Sequence, residues 1–517
     1  MVAAVADAGP ANVYTTGSIT VKNAVKGETY YAIKALSATA SDDGIAYAGP
    51  IPQQLQSVLE IRTVGTAPNT YQEVGKIDGV TDEAYQTAMR AFATAQQENW
   101  GTGVPCNDNS VTFSGLDMGF YVIVSTLTSG EQTTLTNKVS AGSTYDGTLA
   151  AGSRNAGTVY EKNTTTVTVN KTGDTEYSIG DTVTYTVTFN GANYRGEGAD
   201  AQIVTKYVVT DTLPEFLTGA TVTGITIGTG EGSEKTVNDT NFPGVSTFGT
   251  NKTFDIPWAS GSDHNYTSLY PNGSTVTITY QATLTDIVKI DGTEGNKNTI
   301  TIKPWVDKPE GPGPHSDEWE DHHEIFTHAA ALKKTDGTNL LAGAKFQFYG
   351  LTAQPETAGV PGIYRVTAYN PTAAAAQTEG TELEVGADGK LYILGISNLV
   401  TLTGTETQAP AGYNKLTGTV TLNVQTLSHE VWSSAGTRDY DADNNLVSES
   451  STSSHEVQVS KTIEDLDENG VNVVNQKGTE LPSTGGMGTT ILYVGGSILV
   501  ILAAVLLITK RRMNANE

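Results

Sequence analysis

Thr182-Val183-Thr184-Tyr185-Thr186-Val187-Thr188-Phe189 alternates threonine with an apolar residue along its whole length. A period of two sends neighbouring side chains to opposite faces, so this stretch reads as a strand with one buried face. Residues 275–280 alternate in the same way, and strand-like runs lie at 18–21, 29–35, 118–125, 344–349, 390–396 and 417–424. Thr, Val and Tyr favour strands, and the 55 glycines supply turns. Two helical patterns interrupt the first third of the chain. In one, Pro52 opens a turn ahead of a Leu55, Val58, Leu59 stripe; in the other, Thr81 caps a helix with Tyr85, Met89 and Phe92 on one face. The fold class expected is all-β: tandem immunoglobulin-like β-sandwich domains, the first with added helices.

The 517 residues suffice for several domains and carry a net charge of −26. That balance argues against nucleic-acid binding, which needs Lys/Arg patches to displace counterions, and it fits a solvated surface protein. One cysteine, Cys106, excludes an internal disulfide and a Cys-based metal site, and is read as a small packed residue. An extracellular β-protein without disulfides needs another source of durability.

Near the C-terminus, Leu481-Pro482-Ser483-Thr484-Gly485 precedes an apolar stretch at 491–509 and then Lys510, Arg511 and Arg512. The stretch is long enough to cross a bilayer as a transmembrane helix, and the basic tail would hold that end in the cytoplasm. In this order the three elements resemble a sortase sorting signal. The resemblance implies cleavage between Thr484 and Gly485, transfer of the Thr484 carbonyl to an amine, and a secreted, peptidoglycan-anchored protein. At the other end, Ala6-Asp7-Ala8 has the small-x-small form of a signal-peptidase site, so residues 1–16 are read as a leader remnant. Composition and pattern divide the rest into 17–165, 166–325, 326–478 and a sorting region at 479–517. Residues 303–320, rich in Pro, Gly and acids, are expected to form an extended arm or loop.

Two sets of three residues could make a covalent bond. An amide forms between a Lys side chain and an Asn side chain if the amine is neutral, the carbonyl lies within attack distance and a protonated carboxyl polarises it. Burial favours all three conditions. Lys171 shares strand parity with Val167 and Val169, Asp211 with Tyr207 and Val209, and Asn298 with Ile300 and Ile302. Lys334 shares parity with Leu332, Glu406 with Leu402, and Asn475 with Val471 and Val473. All six are therefore expected to point inward, with each Lys on an early strand and each Asn on the last. The bland alternative is solvated charge at exposed strand ends, because unpaired buried Lys and Asp are costly.

Residues 326–478 are similar to a Cna B-type domain through Lys334-Thr335-Asp336, Leu341-Ala342-Gly343-Ala344-Lys345-Phe346 and the E-box-like Glu406-Thr407-Gln408-Ala409-Pro410-Ala411-Gly412-Tyr413. Residues 166–325 resemble a fimbrial isopeptide-forming domain, Cna A-like. They carry Lys171, Gly180-Asp181-Thr182-Val183-Thr184-Tyr185, Thr210-Asp211-Thr212-Leu213-Pro214 and Gly295-Asn296-Lys297-Asn298. The resemblance implies Lys171–Asn298 and Lys334–Asn475 isopeptide bonds, promoted by Asp211 and Glu406, with Asn296 as the reserve for Asn298. Residues 17–165 resemble the N-terminal domain of Gram-positive shaft pilins. Val159-Tyr160-Glu161-Lys162-Asn163 stands where that family has Val-Tyr-Pro-Lys, with Glu161 replacing the proline.

The combined resemblance is to a sortase-assembled major pilin. It implies that Lys162 of one subunit attacks the Thr484 acyl-enzyme of another, building a pilus that supports adhesion. The alternatives are a monomeric wall-anchored adhesin, with Lys162 a solvated linker lysine, or a basal or minor pilin. The implied partners are class C and housekeeping sortases, other copies of the chain, peptidoglycan, tip and basal pilins, and host-surface ligands. For the first domain, Lys22 or Lys34 with Asn137 is conceivable as a further bond. His315, His322, His323 and His328 stand among acids, but their spacing fits no metal pattern, and a solvated polar loop is the preferred reading. No phosphate loop, nucleophile elbow or catalytic triad is recognised, so no enzyme activity and no cofactor are expected.

Overall fold

Strand Thr182–Gly191 lies inside a five-stranded sheet, between Val169–Gly173 and Ser274–Leu284, with Leu217–Ile227 and Glu234–Lys235 beyond. Its apolar residues Val183, Tyr185, Val187 and Phe189 are all buried, as the alternation requires. The computed structural model describes residues 11–66, 69–129, 132–136, 138–162, 165–290, 296–378, 380–426, 429–440, 446–459, 463–478 and 488–513. A second sheet centres on Gln202–Asp211 and Asn296–Val306, with Trp319–Ile325 along the latter's other side. The two sheets share one core: the Phe189 and Tyr207 rings, one from each, meet at 5.2 Å between centroids.

Ahead of this sandwich, Glu28–Ser41 and Gly119–Ser129 pair at the centre of one sheet, and Thr16–Lys22 is flanked by Ala156–Tyr160 and Ser110–Asp117 in another. Helix Asp82–Ala95 is capped by Thr81, whose hydroxyl accepts from the Ala84 amide at 3.2 Å. It buries Met89 and Phe92 against Ile33, Leu55, Val58 and Val122.

The chain divides into two compact units, Met1–His328 with Thr426–Thr462, and Ala329–Gln425 with Ile463–Glu517. The second contains a five-stranded and a four-stranded sheet. In the five-stranded sheet, His328–Thr335 runs parallel to Val471–Val474, with Lys334 opposite Val473. Strands Lys345–Phe348 and Thr401–Gln408 pair at the middle of the four-stranded one. Helix Gly488–Met513 ends on Lys510, Arg511 and Arg512, and Leu492–Arg512 has mean hydropathy 2.5 with none of it buried. Such a helix is long and apolar enough to cross a bilayer.

Four expectations are corrected. The Leu55, Val58, Leu59 stripe holds only a single 3-10 turn, Gln53–Leu55; Leu59–Thr66 is a strand because it pairs along its whole length with Asn69–Lys76. Residues 303–320 are not one loop, since the strand from Asn296 continues to Val306 and another begins at Trp319. Asn298 is not on the last strand of its sandwich, because Trp319–Ile325 follows and pairs with it, setting Asn298 opposite His323. His322 and His323 lie on that strand, while His315 and His328 are buried, so the histidines do not form a solvated loop. The pairing of His429–Tyr440 with Leu446–Val459 was not anticipated from sequence.

Candidate functional site

The turn after Gln202–Asp211 fixes the first carboxylate. Leu213 adopts φ +38°, uncommon for leucine, and the bend turns its amide onto Asp211 Oδ1 at 2.8 Å. Asp211 Oδ2 is left facing the core. From the opposite sheet Lys171 brings Nζ to 2.9 Å from Oδ2, with both side chains fully shielded from solvent. Tyr280 donates its hydroxyl to the same Oδ2 and accepts the Asn298 Nδ2–H at 3.0 Å. Thr212 Oγ1 lies 3.4 Å from Asn298 Oδ1. The Lys171 ammonium position is walled by aromatic faces, 4.8 Å from the Tyr185 centroid and 5.5 Å from that of Tyr280. Burial lowers the Lys171 amine from 10.5 to about 8, although the Asp211 charge pulls the other way.

Asn296 is also buried, but its amide is committed elsewhere. It bridges the Lys289 N–H and C=O at 2.9 and 2.8 Å and reaches the Ile325 carbonyl at 3.2 Å. Asn298, not Asn296, therefore sits with Lys171 and Asp211.

The second unit repeats the three residue types with a different contact pattern. Lys334, Glu406 and Asn475 are all buried. Lys334 Nζ donates to the Val473 carbonyl at 2.7 Å and stands 3.9 Å from Glu406 Oε1. Asn475 Nδ2 touches both Glu406 oxygens, at 3.0 and 2.9 Å, and the Asn414 carbonyl at 2.9 Å. The Leu416 amide steadies Glu406 Oε2 at 2.7 Å. Asn475 Oδ1 is buried with no hydrogen-bond partner among the described residues. Turning the amide by half a rotation exchanges its two ends and would set that oxygen against a protonated Glu406, the arrangement that polarises the carbonyl. Burial lowers the Lys334 amine, against the pull of Glu406. In both places a shielded amine, a carboxyl and a carboxamide meet in a site from which water is excluded. Such a site can join the amine to the carboxamide carbon and release ammonia.

Lys162 is half-buried, with Nζ 5.8 Å from the Tyr85 ring centroid on the capped helix. Glu161 is buried; its amide donates to the Lys22 carbonyl at 3.0 Å, and its Oε1 accepts the Lys162 N–H at 2.8 Å. The carboxyl thus ties down the backbone that a proline would stiffen covalently. Glu28 is buried nearby, and burial together with the Glu161 charge raises it to about 7. Lys22 is exposed at a strand end, and Lys34 pairs with Asp117 at 3.0 Å. Asn137, residues 1–10 of the leader remnant and Leu481, Pro482, Ser483, Thr484 and Gly485 lie outside the described residues, whereas Val13–Tyr14, within the span read as leader, pairs with Glu28–Ser41 as a strand of the first sheet. Sequence reasoning missed Tyr280, Tyr185 and Glu28. Parity was a usable signal for all three, since Tyr280 shares parity with Ile278, Tyr185 with Val183, and Glu28 with Tyr30.

Residues 473–515 match the family profile described as the LPXTG cell wall anchor motif. The chain therefore carries the signal of a cell-wall-anchored surface protein. No curated protein matches it. Among solved structures it is similar to the group B streptococcus pilus 2b backbone protein, at 25% identity over 60% of this chain and 99% of that one, TM-score 0.37. It is similar to the T6 backbone pilin of serotype M6 Streptococcus pyogenes at 14% identity, covering 90% of this chain and 100% of that one, TM-score 0.36. The full-length major pilin of Streptococcus pneumoniae gives 13%, 90% and 100%, with TM-score 0.36.

Proposed function

We propose that this protein is the shaft subunit of a covalently polymerised cell-surface pilus. In this reading it is a structural protein of three domains, 17–165, 166–325 and 326–478, followed by the anchor. Sortase joins Thr484 of one copy to Lys162 of the next, and internal Lys171–Asn298 and Lys334–Asn475 bonds harden each copy. The observation that carries the reading is the recurrence, in two separate sandwiches of one anchored chain, of a buried lysine, carboxyl and asparagine. Unpaired burial of such groups is expensive, and a single carboxylate beside a lysine leaves no reason for an asparagine in each site. Covalent bond formation removes the charge and the cost together.

Each internal bond releases one ammonia, so the mature chain should be lighter by two ammonias than the summed mass of the residues it retains. Peptide mass spectrometry on cell-wall material from the native host tests the polymer: a branched peptide joining Thr484 to Lys162 is expected. Thr484 found only on peptidoglycan amines, with Lys162 unmodified, would make the chain a singly anchored adhesin or a basal pilin.

A further inference from the structure

We propose that Tyr280 is a catalytic residue of the Lys171–Asn298 reaction, relaying a proton from Asp211 to the departing amide nitrogen. This rests on the reading above that the bond forms. The observation is a continuous line of contacts. Lys171 Nζ meets Asp211 Oδ2 at 2.9 Å, Oδ2 accepts the Tyr280 hydroxyl, and the Tyr280 oxygen meets Asn298 Nδ2 at 3.0 Å. Among the described residues no hydrogen bond joins Asp211 directly to Asn298. The other Asp211 oxygen is occupied by the Leu213 amide at 2.8 Å.

The second unit shows why a relay is needed here and not there. Glu406 touches the Asn475 amide nitrogen with its own two oxygens, at 3.0 and 2.9 Å. Aspartate is one methylene shorter than glutamate, and the phenol spans the missing reach. Tyr280 is fully buried and stacked on Tyr185 with centroids 5.1 Å apart, so its hydroxyl has a fixed direction. Burial and the Asp211 charge push that hydroxyl well above its ordinary range, so it stays a proton carrier.

The steps balance. Lys171 passes one proton to Asp211, and its neutral amine attacks Asn298 Cγ, forming the new C–N bond. The attacked carbon becomes tetrahedral, and the Nδ2 lone pair, no longer delocalised, turns from donor to acceptor towards Tyr280. Tyr280 gives its proton to Nδ2 as Asp211 replaces it. The Cγ–Nδ2 bond breaks with its electron pair on nitrogen, and ammonia leaves. The attacking nitrogen returns its surplus proton to Asp211. Tyr280 ends as it began, Asp211 ends holding the proton that the Lys171 ammonium brought, and one ammonium, one carboxylate and one carboxamide have become one secondary amide, one carboxylic acid and ammonia.

The test follows bond formation in the full chain after a pulse of synthesis, reading each branched peptide by mass spectrometry. In Tyr280→Phe the Lys171–Asn298 bond should form about 10²-fold more slowly or worse, the range of a lost general acid. The Lys334–Asn475 bond should form at its usual rate in the same molecules. The double variant Tyr280→Phe/Asp211→Glu, whose longer carboxyl can reach the amide as Glu406 does, should recover the rate. A wild-type rate in Tyr280→Phe overturns the relay, and so does a block that Asp211→Glu leaves in place. Absence of the Lys171–Asn298 peptide from the unaltered chain would remove the underlying reading and the relay together, and is told apart from the first two outcomes by that control.

Discussion

Burial acts on Lys171 and Glu28 in opposite senses, because both are disfavoured as ions and carry opposite charge. The amine moves down to about 8 and the carboxyl up to about 7. For Glu28 the consequence is a pH-dependent stability. Its ordinary value is 4.5, so between there and about 7 the folded chain keeps a proton that the unfolded chain has released. Stability is therefore fullest below pH 4.5 on this account and falls as pH rises through 7. Glu28→Gln cannot ionise. Its unfolding free energy relative to the parent should be level at low pH, climb between these values and then plateau, by something on the order of a few kcal/mol. A flat difference from pH 4 to 8 would mean that Glu28 titrates in the fold as it does in water. The six residues of the two trios were legible from parity, since an inward position is fixed by the strand period alone. Tyr280 was inward by the same rule, but parity gives no partner across the core, so its place between Asp211 and Asn298 could be seen only once two sheets were stacked.

Elements were legible where one rule governed them. Thr182–Gly191, Ser274–Leu284 and Lys390–Ile396 follow their alternation or apolar runs, and helix Asp82–Ala95 begins at its cap. The element misread was the one whose period was ambiguous: Leu55, Val58 and Leu59 suit a helix, yet Leu59 opens a strand because a pairing partner lies just beyond it. Trp319–Ile325 was hidden for a different reason. It carries histidines and acids on an edge beside Asn296–Val306, and an edge strand needs little apolar patterning. At this scale the capped helix offers a clear test. Thr81→Ala removes the acceptor for the Ala84 amide and should cost about 1 kcal/mol. The helix carries Tyr85, whose ring stands by Lys162, so the same variant should also raise hydrogen exchange at 82–85. Unchanged exchange there would show that packing of Met89 and Phe92, not the cap, holds the first turn.

Over the whole molecule, the two proposed bonds would close long stretches of chain. Lys171 and Asn298 are 298 − 171 = 127 positions apart, and Lys334 and Asn475 are 475 − 334 = 141. A cross-link restricts the unfolded ensemble more as the loop lengthens, and a closed loop of roughly 100 residues or more is stabilised by about 5 kcal/mol on the chain-entropy account. An amide is not reduced as a disulfide is, which suits a chain with one buried cysteine. The residues of the two trios fall in different compact units, each with its own sheets. Loss of one bond should therefore weaken the unit that contains it. Asn298→Ala should lower the denaturant midpoint at which peptides of 166–325 lose exchange protection, by about 5 kcal/mol when converted through the slope, and leave peptides of 329–425 in place. Asn475→Ala should do the reverse. If either substitution lowered both sets of peptides equally, the cross-links would not act by closing local loops. If neither moved, the lysines would be carrying free amines, and durability would have to come from packing alone.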